Sequence, residues 1–205
     1  MVEKKARVAV LVSGGGTNLQ AILDAAGRGE LPHAEISLVI SDRPGAYALE
    51  RAAKAGVPAL EISRKAWGGQ EAFEGKLITA LEENRTDVIV LAGFLSILTE
   101  RFTSMYAHRI INVHPSLIPS FCGAGFYGLR VHEAALARGV KVTGATVHFV
   151  NEIPDGGEII AQKAVEILPG DTPEILQRRV MEQAEWIILP ASVEKVCEEI
   201  IARKG

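Results

Sequence analysis

The run Ala6–Val12 constrains the fold more than any other stretch. It is almost wholly apolar and rich in β-branched residues, the pattern of a strand covered on both faces. Ser13-Gly14-Gly15-Gly16 breaks it. Thr17-Asn18 then opens a helical pattern with Leu19, Ile22, Leu23 and Ala26 on one side. The order is strand, glycine loop, helix. Free backbone N–H groups at such a helix start favour an anion, usually a phosphate. A dinucleotide fingerprint would require Gly-x-Gly-x-x-Gly, and its last position here is Leu19. The Gly-Lys-Ser/Thr ending of a P-loop is also missing. The loop therefore reads as a cradle for a phosphomonoester.

Downstream, strand and helix patterns alternate. Strand-like runs are Ile36–Ser41, Val57–Ile62, Asp87–Ala92 and Ile110–Val113; helix-like runs are Ala46–Ala55, Glu71–Asn84 and a short one capped by Thr99. In the helix from Glu71, Phe73, Leu77, Ile78 and Leu81 form a core-facing stripe. Val131–Arg138 is a further short helix, and its His132 reads as a packing or surface residue. Lys141–Val150 and Glu158–Ile167 read as a hairpin around the turn Asn151–Gly157. Asp171-Thr172-Pro173-Glu174 is a strong helix start. That helix is expected to reach Leu189, to be interrupted or kinked at Pro190, and to resume to Lys204. The pattern predicts an α/β fold, a doubly wound and mostly parallel sheet with helices on both faces and an antiparallel strand near the C-terminal end.

Length and composition set the limits. The 205 residues, 48% of them hydrophobic and 23% charged, suit a single globular domain spanning 1–205. A net charge of −3 gives no basis for a nucleic-acid groove or an anionic membrane surface. Cys122 and Cys197 are too few and too far apart for a disulfide framework or a zinc site. Met1–Lys5 carries no signal-peptide pattern and no apolar run is long enough for a membrane span, so a cytoplasmic protein is expected.

The stretch Ile110–Ser120 carries the chemistry. A buried strand ends at His114-Pro115, because proline has no N–H and a fixed φ. Asn112 and His114 are two apart and share one side of that strand. An amide and an imidazole thus leave the strand together at its carboxyl end, where open α/β sheets bind ligands. Asn112 can donate to an oxygen gaining charge, and His114 can move a proton near neutral pH. Gly93–Leu98 follows another strand, and its apolar character suits the wall of a pocket for a flat ring. Phe121–Leu129 is a glycine- and aromatic-rich loop beside the site.

Four motifs occur together in order: Val12–Gln20, Leu91–Phe94, Ile111–Pro119, and Thr143–Val150 running on to Asp155-Gly156-Gly157. Over essentially its whole length the chain resembles the phosphoribosylglycinamide formyltransferases, folate-dependent enzymes of purine synthesis. The resemblance implies a Rossmann-like formyltransferase fold. It implies transfer of a formyl group from 10-formyltetrahydrofolate, as co-substrate, to the amine of glycinamide ribonucleotide. Asn112, His114 and Asp155 match the family's catalytic trio. Gly16, Thr17, Asn18 and Glu185 match its ribonucleotide phosphate and ribose site. Leu95, Ser96, Ile97 and Leu98, with Asn151, Glu152, Ile153 and Pro154, match the pterin pocket, which Asn112 and Gln70 border. Residues up to about 105 form the phosphate and nucleotide side, and 106–205 the catalytic and folate side. No metal, nucleic acid or membrane is implied, and the chain is expected to be a monomer or homodimer. His148 is expected to hydrogen-bond within the sheet.

The chain departs from some members at two positions. Gln70 stands where they have an arginine before the Glu-Ala-Phe stretch, and Ser96 where they have a basic residue. Arg64 or Lys65 is a candidate substitute for holding the folate glutamate tail. Formyltetrahydrofolate hydrolase is the nearest alternative, but it resembles this chain less in the glycine loop. Methionyl-tRNA formyltransferase needs a further basic domain. A non-catalytic nucleotide-binding module would have no use for Asn112, His114 and Asp155 together.

Overall fold

The computed structural model describes residues 5–204; the expectation for Met1–Lys4 lies outside the described residues. Seven strands form one sheet: β1 (Ala6–Val12), β2 (Ala34–Ser41), β3 (Ala59–Glu61), β4 (Val88–Leu91), β5 (Ile110–His114), β6 (Val142–Phe149) and β7 (Ile159–Glu166), in the order β3-β2-β1-β4-β5-β6-β7. The first five run parallel, and β6 and β7 are antiparallel additions at one edge. The mostly parallel, doubly wound sheet is thus as the sequence pattern predicts. The chain adds β2 and β3 on one side of β1, then returns to add β4 and β5 on the other. This reversal makes a crevice beyond the carboxyl ends of β1 and β4, the usual ligand position in such sheets.

Side-chain alternation along the strands explains the two-sided core. Val8, Val10 and Val12 of β1 share one core layer with Leu19 and Ile22 of α1 (Thr17–Gly27) and with Leu189 and Val193 of α7 (Trp186–Lys204). Ala9 and Leu11 point the other way and pack with Phe73 and Leu77 of α3 (Gln70–Glu83) and Phe102 of α4 (Glu100–Met105). In both layers each fully buried Leu, Ile or Phe contributes about 1.5–3 kcal/mol. Two further helices, α2 (Tyr47–Lys54) and α5 (Leu129–Arg138), fill the connections, and α6 (Pro173–Val180) precedes α7. Thr172 caps α6, its hydroxyl accepting from the Ile175 N–H.

Two local expectations need correction. Thr99 stands at the start of α4 but does not cap it with its side chain. Its N–H and its hydroxyl both donate to the buried Glu74 carboxylate, each at 2.6 Å, because an ionic acceptor wins over a backbone donor. Pro190 does not interrupt the last helix; it lies inside α7. The irregularity falls upstream, in a π-helical turn at Met181–Glu185, where the Trp186 N–H reaches back to the Met181 carbonyl. A proline ring crowds the residue four positions earlier, here Trp186, and a widened turn ending there gives it room. The turn also rotates Glu185 inward, to 5% exposure.

Candidate active site

A cleft of about 670 Å³ opens at the carboxyl ends of β4 and β5. Its walls include Leu95–Leu98 on one side and Asn151–Asp155 on the other, with Asn112, His114 and His148 on its floor and Asn18 and Glu185 at one end. The expected catalytic, ribose-side and pterin-side residues therefore converge on one cavity, with three exceptions. Gly16 and Thr17 lie outside the lining. Gln70 also lies outside it, and its amide instead donates to the Ile97 carbonyl on the rim and to Glu74.

Each group is placed by local structure. Asn112 and His114 end β5, and antiparallel pairing sets Asn112 opposite His148 on β6. Asp155 comes from the turn after β6. There the Asn151 side chain accepts from the Ile153 N–H at 3.0 Å, an Asx turn, and Asp155 takes a φ of 56°. Gly157 must be glycine, because a Cβ there would fall 1.7 Å from the Phe149 carbonyl oxygen. In the first loop Gly16 has a φ of 72°, and its Cβ would fall 2.6 Å from that of Ala48. The bare backbone lets α2 close against the loop, where the Ala48 N–H donates to the Gly14 carbonyl at 3.1 Å.

The polar centre is a carboxylate between two imidazoles. Asp155 Oδ2 is 3.5 Å from His114 Nδ1, and Oδ1 is 3.6 Å from His148 Nε2. The other nitrogen of each ring donates to a carbonyl: His114 Nε2 to Phe121 at 2.9 Å, and His148 Nδ1 to Phe149 at 2.7 Å. With Nε2 donating to Phe121, the neutral His114 ring turns its unprotonated Nδ1 toward Asp155. Asn112 Nδ2 lies 3.2 Å from His148 Nε2, and the second N–H of that amide remains for a ligand. Gly123 donates its N–H to Asp155 Oδ2 at 2.8 Å, tying the Phe121–Leu129 loop to the carboxylate.

Burial pushes the His114 pKa below its usual value, with Asp155 and the Phe121 carbonyl opposing the shift. Burial raises the Asp155 pKa, but His148, the Gly123 N–H and the charge of His114 together bring it below the ordinary carboxylate range. At the far end Asn18 Nδ2 donates to Glu185 Oε2 at 2.7 Å. Desolvation pushes Glu185 up to about 7, despite that hydrogen bond. His132 is fully buried and neither ring nitrogen has a hydrogen-bond partner among the described residues. Burial, then the charge of His114, lowers its pKa to about 4, so it packs as a neutral ring.

His148 does hydrogen-bond within the sheet, but it also faces the reactive centre, which its sequence position alone did not reveal. The available signal was strand register: Thr146 and His148 alternate on one face of a strand paired with Asn112-Val113-His114. The contributions of the Phe121 carbonyl and the Gly123 N–H come from loop backbone, which leaves no side-chain signature. No group of three or more His, Cys, Asp or Glu among the described residues is arranged to hold a metal ion. No described helix is long and apolar enough to cross a membrane.

Known proteins share this architecture. The formyl transferase family model matches residues 6–193. The phosphoribosylglycinamide formyltransferase of Haemophilus influenzae is 41% identical over 92% of this chain and 85% of its own length. The trifunctional purine biosynthetic protein adenosine-3 of Bos taurus is 45% identical over 94% of this chain, which spans 18% of that longer protein. The crystal structure of glycinamide ribonucleotide transformylase 1 from Symbiobacterium toebii superposes with a TM-score of 0.88 at 42% identity, covering 95% of this chain and 89% of that one. With the fold, the cleft and these relatives in agreement, the chain belongs to the formyl transferase family, among the phosphoribosylglycinamide formyltransferases.

Proposed function

We propose that this enzyme transfers the formyl group of 10-formyltetrahydrofolate to the amine of glycinamide ribonucleotide, giving the formylated nucleotide and tetrahydrofolate. The observation that carries the reading is the Asp155 carboxylate set between His114 and His148, beside Asn112, in a largely apolar cleft at the sheet's carboxyl edge. The family relationship supplies the substrates; the residues supply the chemistry.

The neutral amine attacks the formyl carbon, a C–N bond forms, and the carbonyl electrons move to oxygen. The free N–H of Asn112 donates to that oxyanion, and such a donor is worth several kcal/mol in a dry site. The new ammonium must lose a proton and the folate nitrogen must gain one. His114 Nδ1 is the available base, because Nε2 is committed to Phe121. Asp155 stabilises the imidazolium as it forms and orders water for delivery of the proton to the leaving nitrogen. The C–N bond to folate then breaks and the carbonyl re-forms. No metal enters these steps.

Asn18 and Glu185 hold the ribose end of the nucleotide, with Gly16 and Thr17 on the phosphate side. Leu95–Leu98 and Asn151–Pro154 hold the pterin through backbone groups. The site encloses no nucleic acid and the protein works in the cytoplasm, as a monomer or homodimer.

A paired assay tests the proposal. The protein is given 10-formyltetrahydrofolate with and without glycinamide ribonucleotide, and tetrahydrofolate, formylated nucleotide and formate are followed. Nucleotide-dependent turnover to the formylated product is expected. Formate release without nucleotide would instead make the enzyme a formyltetrahydrofolate hydrolase. Nucleotide binding without turnover would make it a binding module.

A further inference from the structure

The cleft is lined by several acids, including Glu152, Asp155 and Glu185, and by a single lysine or arginine among its described lining residues, Arg43. Arg43 sits in the turn after β2 and is exposed. Its guanidinium has no hydrogen bond, ion pair or ring contact among the described residues; only its backbone N–H and carbonyl are engaged, both with Ser41. The turn is held in place from the folate side. Asp42 accepts a hydrogen bond from the Ser96 hydroxyl at 2.5 Å, and the Leu95 N–H donates to Ser13 at 2.8 Å. Arg43 is therefore anchored to the wall formed by Leu95–Leu98.

The other groups near that wall are already occupied or set apart. Gln70 donates to Glu74 and Ile97, and Ser96 donates to Asp42. Both are neutral. Arg64 and Lys65 line a separate shallow concavity with Gly68, Gly69 and Gln70, and Arg64 donates to Gln70 at 3.3 Å. A folate is a flat pterin and aminobenzoyl unit ending in a glutamate with two carboxylates. With its rings against Leu95–Leu98, a free cation held beside that wall is placed to pair with those carboxylates.

We propose that Arg43 is a specificity-determining residue that receives a carboxylate of the folate glutamate tail. This inference rests on the proposed function, because it assumes a folate donor. An exposed guanidinium with no internal partner loses no existing pair on binding, and it can meet a carboxylate with two parallel N–H donors.

The test measures binding, so it does not depend on turnover. Folate and pteroate, which lacks the glutamate, are titrated by tryptophan fluorescence into wild-type protein, Arg43→Ala, and the double variant Arg64→Ala/Lys65→Ala. Far-UV circular dichroism checks that each variant is folded. The expected result is a folate Kd raised about tenfold or more in Arg43→Ala, an unchanged pteroate Kd, and little change in the double variant. A further arm titrates glycinamide ribonucleotide, whose affinity Arg43→Ala leaves alone. Unchanged folate affinity in Arg43→Ala, a loss confined to the double variant, or a loss of nucleotide affinity would each overturn the assignment. If wild-type protein binds neither folate nor pteroate, the folate reading itself fails, and this inference with it.

Discussion

Asp155 Oδ2 stands 3.5 Å from His114 Nδ1, on the opposite side of the imidazole from the hydrogen bond that binds Nε2 to the Phe121 carbonyl. The pair defines where the mobile proton goes. Nε2 cannot release its hydrogen without leaving the carbonyl facing a lone pair, so Nδ1 is the titrating atom, and it titrates beside a carboxylate.

His114 is expected to titrate below 6.5, because burial outweighs the pull of Asp155. Acid inactivation should follow that titration, since only the neutral ring accepts a proton. Asp155→Asn removes the charge that favours the imidazolium, so the His114 pKa should fall further. NMR titration of the imidazole resonance in both proteins checks the direction. A rise in Asp155→Asn would contradict the arrangement.

Glu185 predicts a stability effect of definite sign. It ionises near 4.5 when unfolded and near 7 in the folded protein. The folded state therefore keeps the proton between those values. The group's contribution is fully present below pH 4.5 and is lost as pH rises through 7. Glu185→Gln preserves the acceptor for Asn18 without the buried charge. It should match wild type at pH 4 and exceed it at pH 8 by up to about 3 kcal/mol. Urea unfolding at both pH values tests this, and a variant less stable than wild type at pH 8 would refute it.

Gly16→Ala forces an L side chain into a left-handed backbone and against Ala48. A cost of about 1–3 kcal/mol is expected from the backbone alone, with more from the contact. Because α2 must move away from the loop, nucleotide affinity should fall along with stability. Gly15→Ala is the control, since nothing lies within 4 Å of its added Cβ. Equal effects from the two substitutions would show that the loop is not held closed by α2.

Much of this structure was legible in the sequence, and the particular residues show why. Ala6–Val12 is strand from end to end because an apolar, valine-rich run interrupted only by Arg7 near its start is best buried in a doubly covered sheet. His114-Pro115 ends β5 because proline cannot continue the ladder. Asn18, Asn112 and Asp155, each from a different matched motif, line one cleft, and Glu185, which lies outside those motifs, lines it too. Three features were not legible. The π-helical turn depends on a packing compromise near Pro190, and periodicity does not distinguish it from an α-helix. The preference of Thr99 for Glu74 depends on a residue 25 positions away. The place of His148 at the reactive centre depends on which residue of β6 faces Asn112, and a one-residue slip would have turned it away.

Single-turnover formyl transfer by Asp155→Asn, at saturating folate and nucleotide and neutral pH, tests the central claim most directly. Asp155 is assigned to the proton transfer, so the rate should drop about 100- to 10,000-fold, with folate and nucleotide dissociation constants within a few-fold of wild type. His114→Ala should fall in the same range, and combining the two should cost little more than either alone, since they act as one unit. A single-turnover rate for Asp155→Asn close to wild type would contradict the account and place the chemistry elsewhere in the cleft.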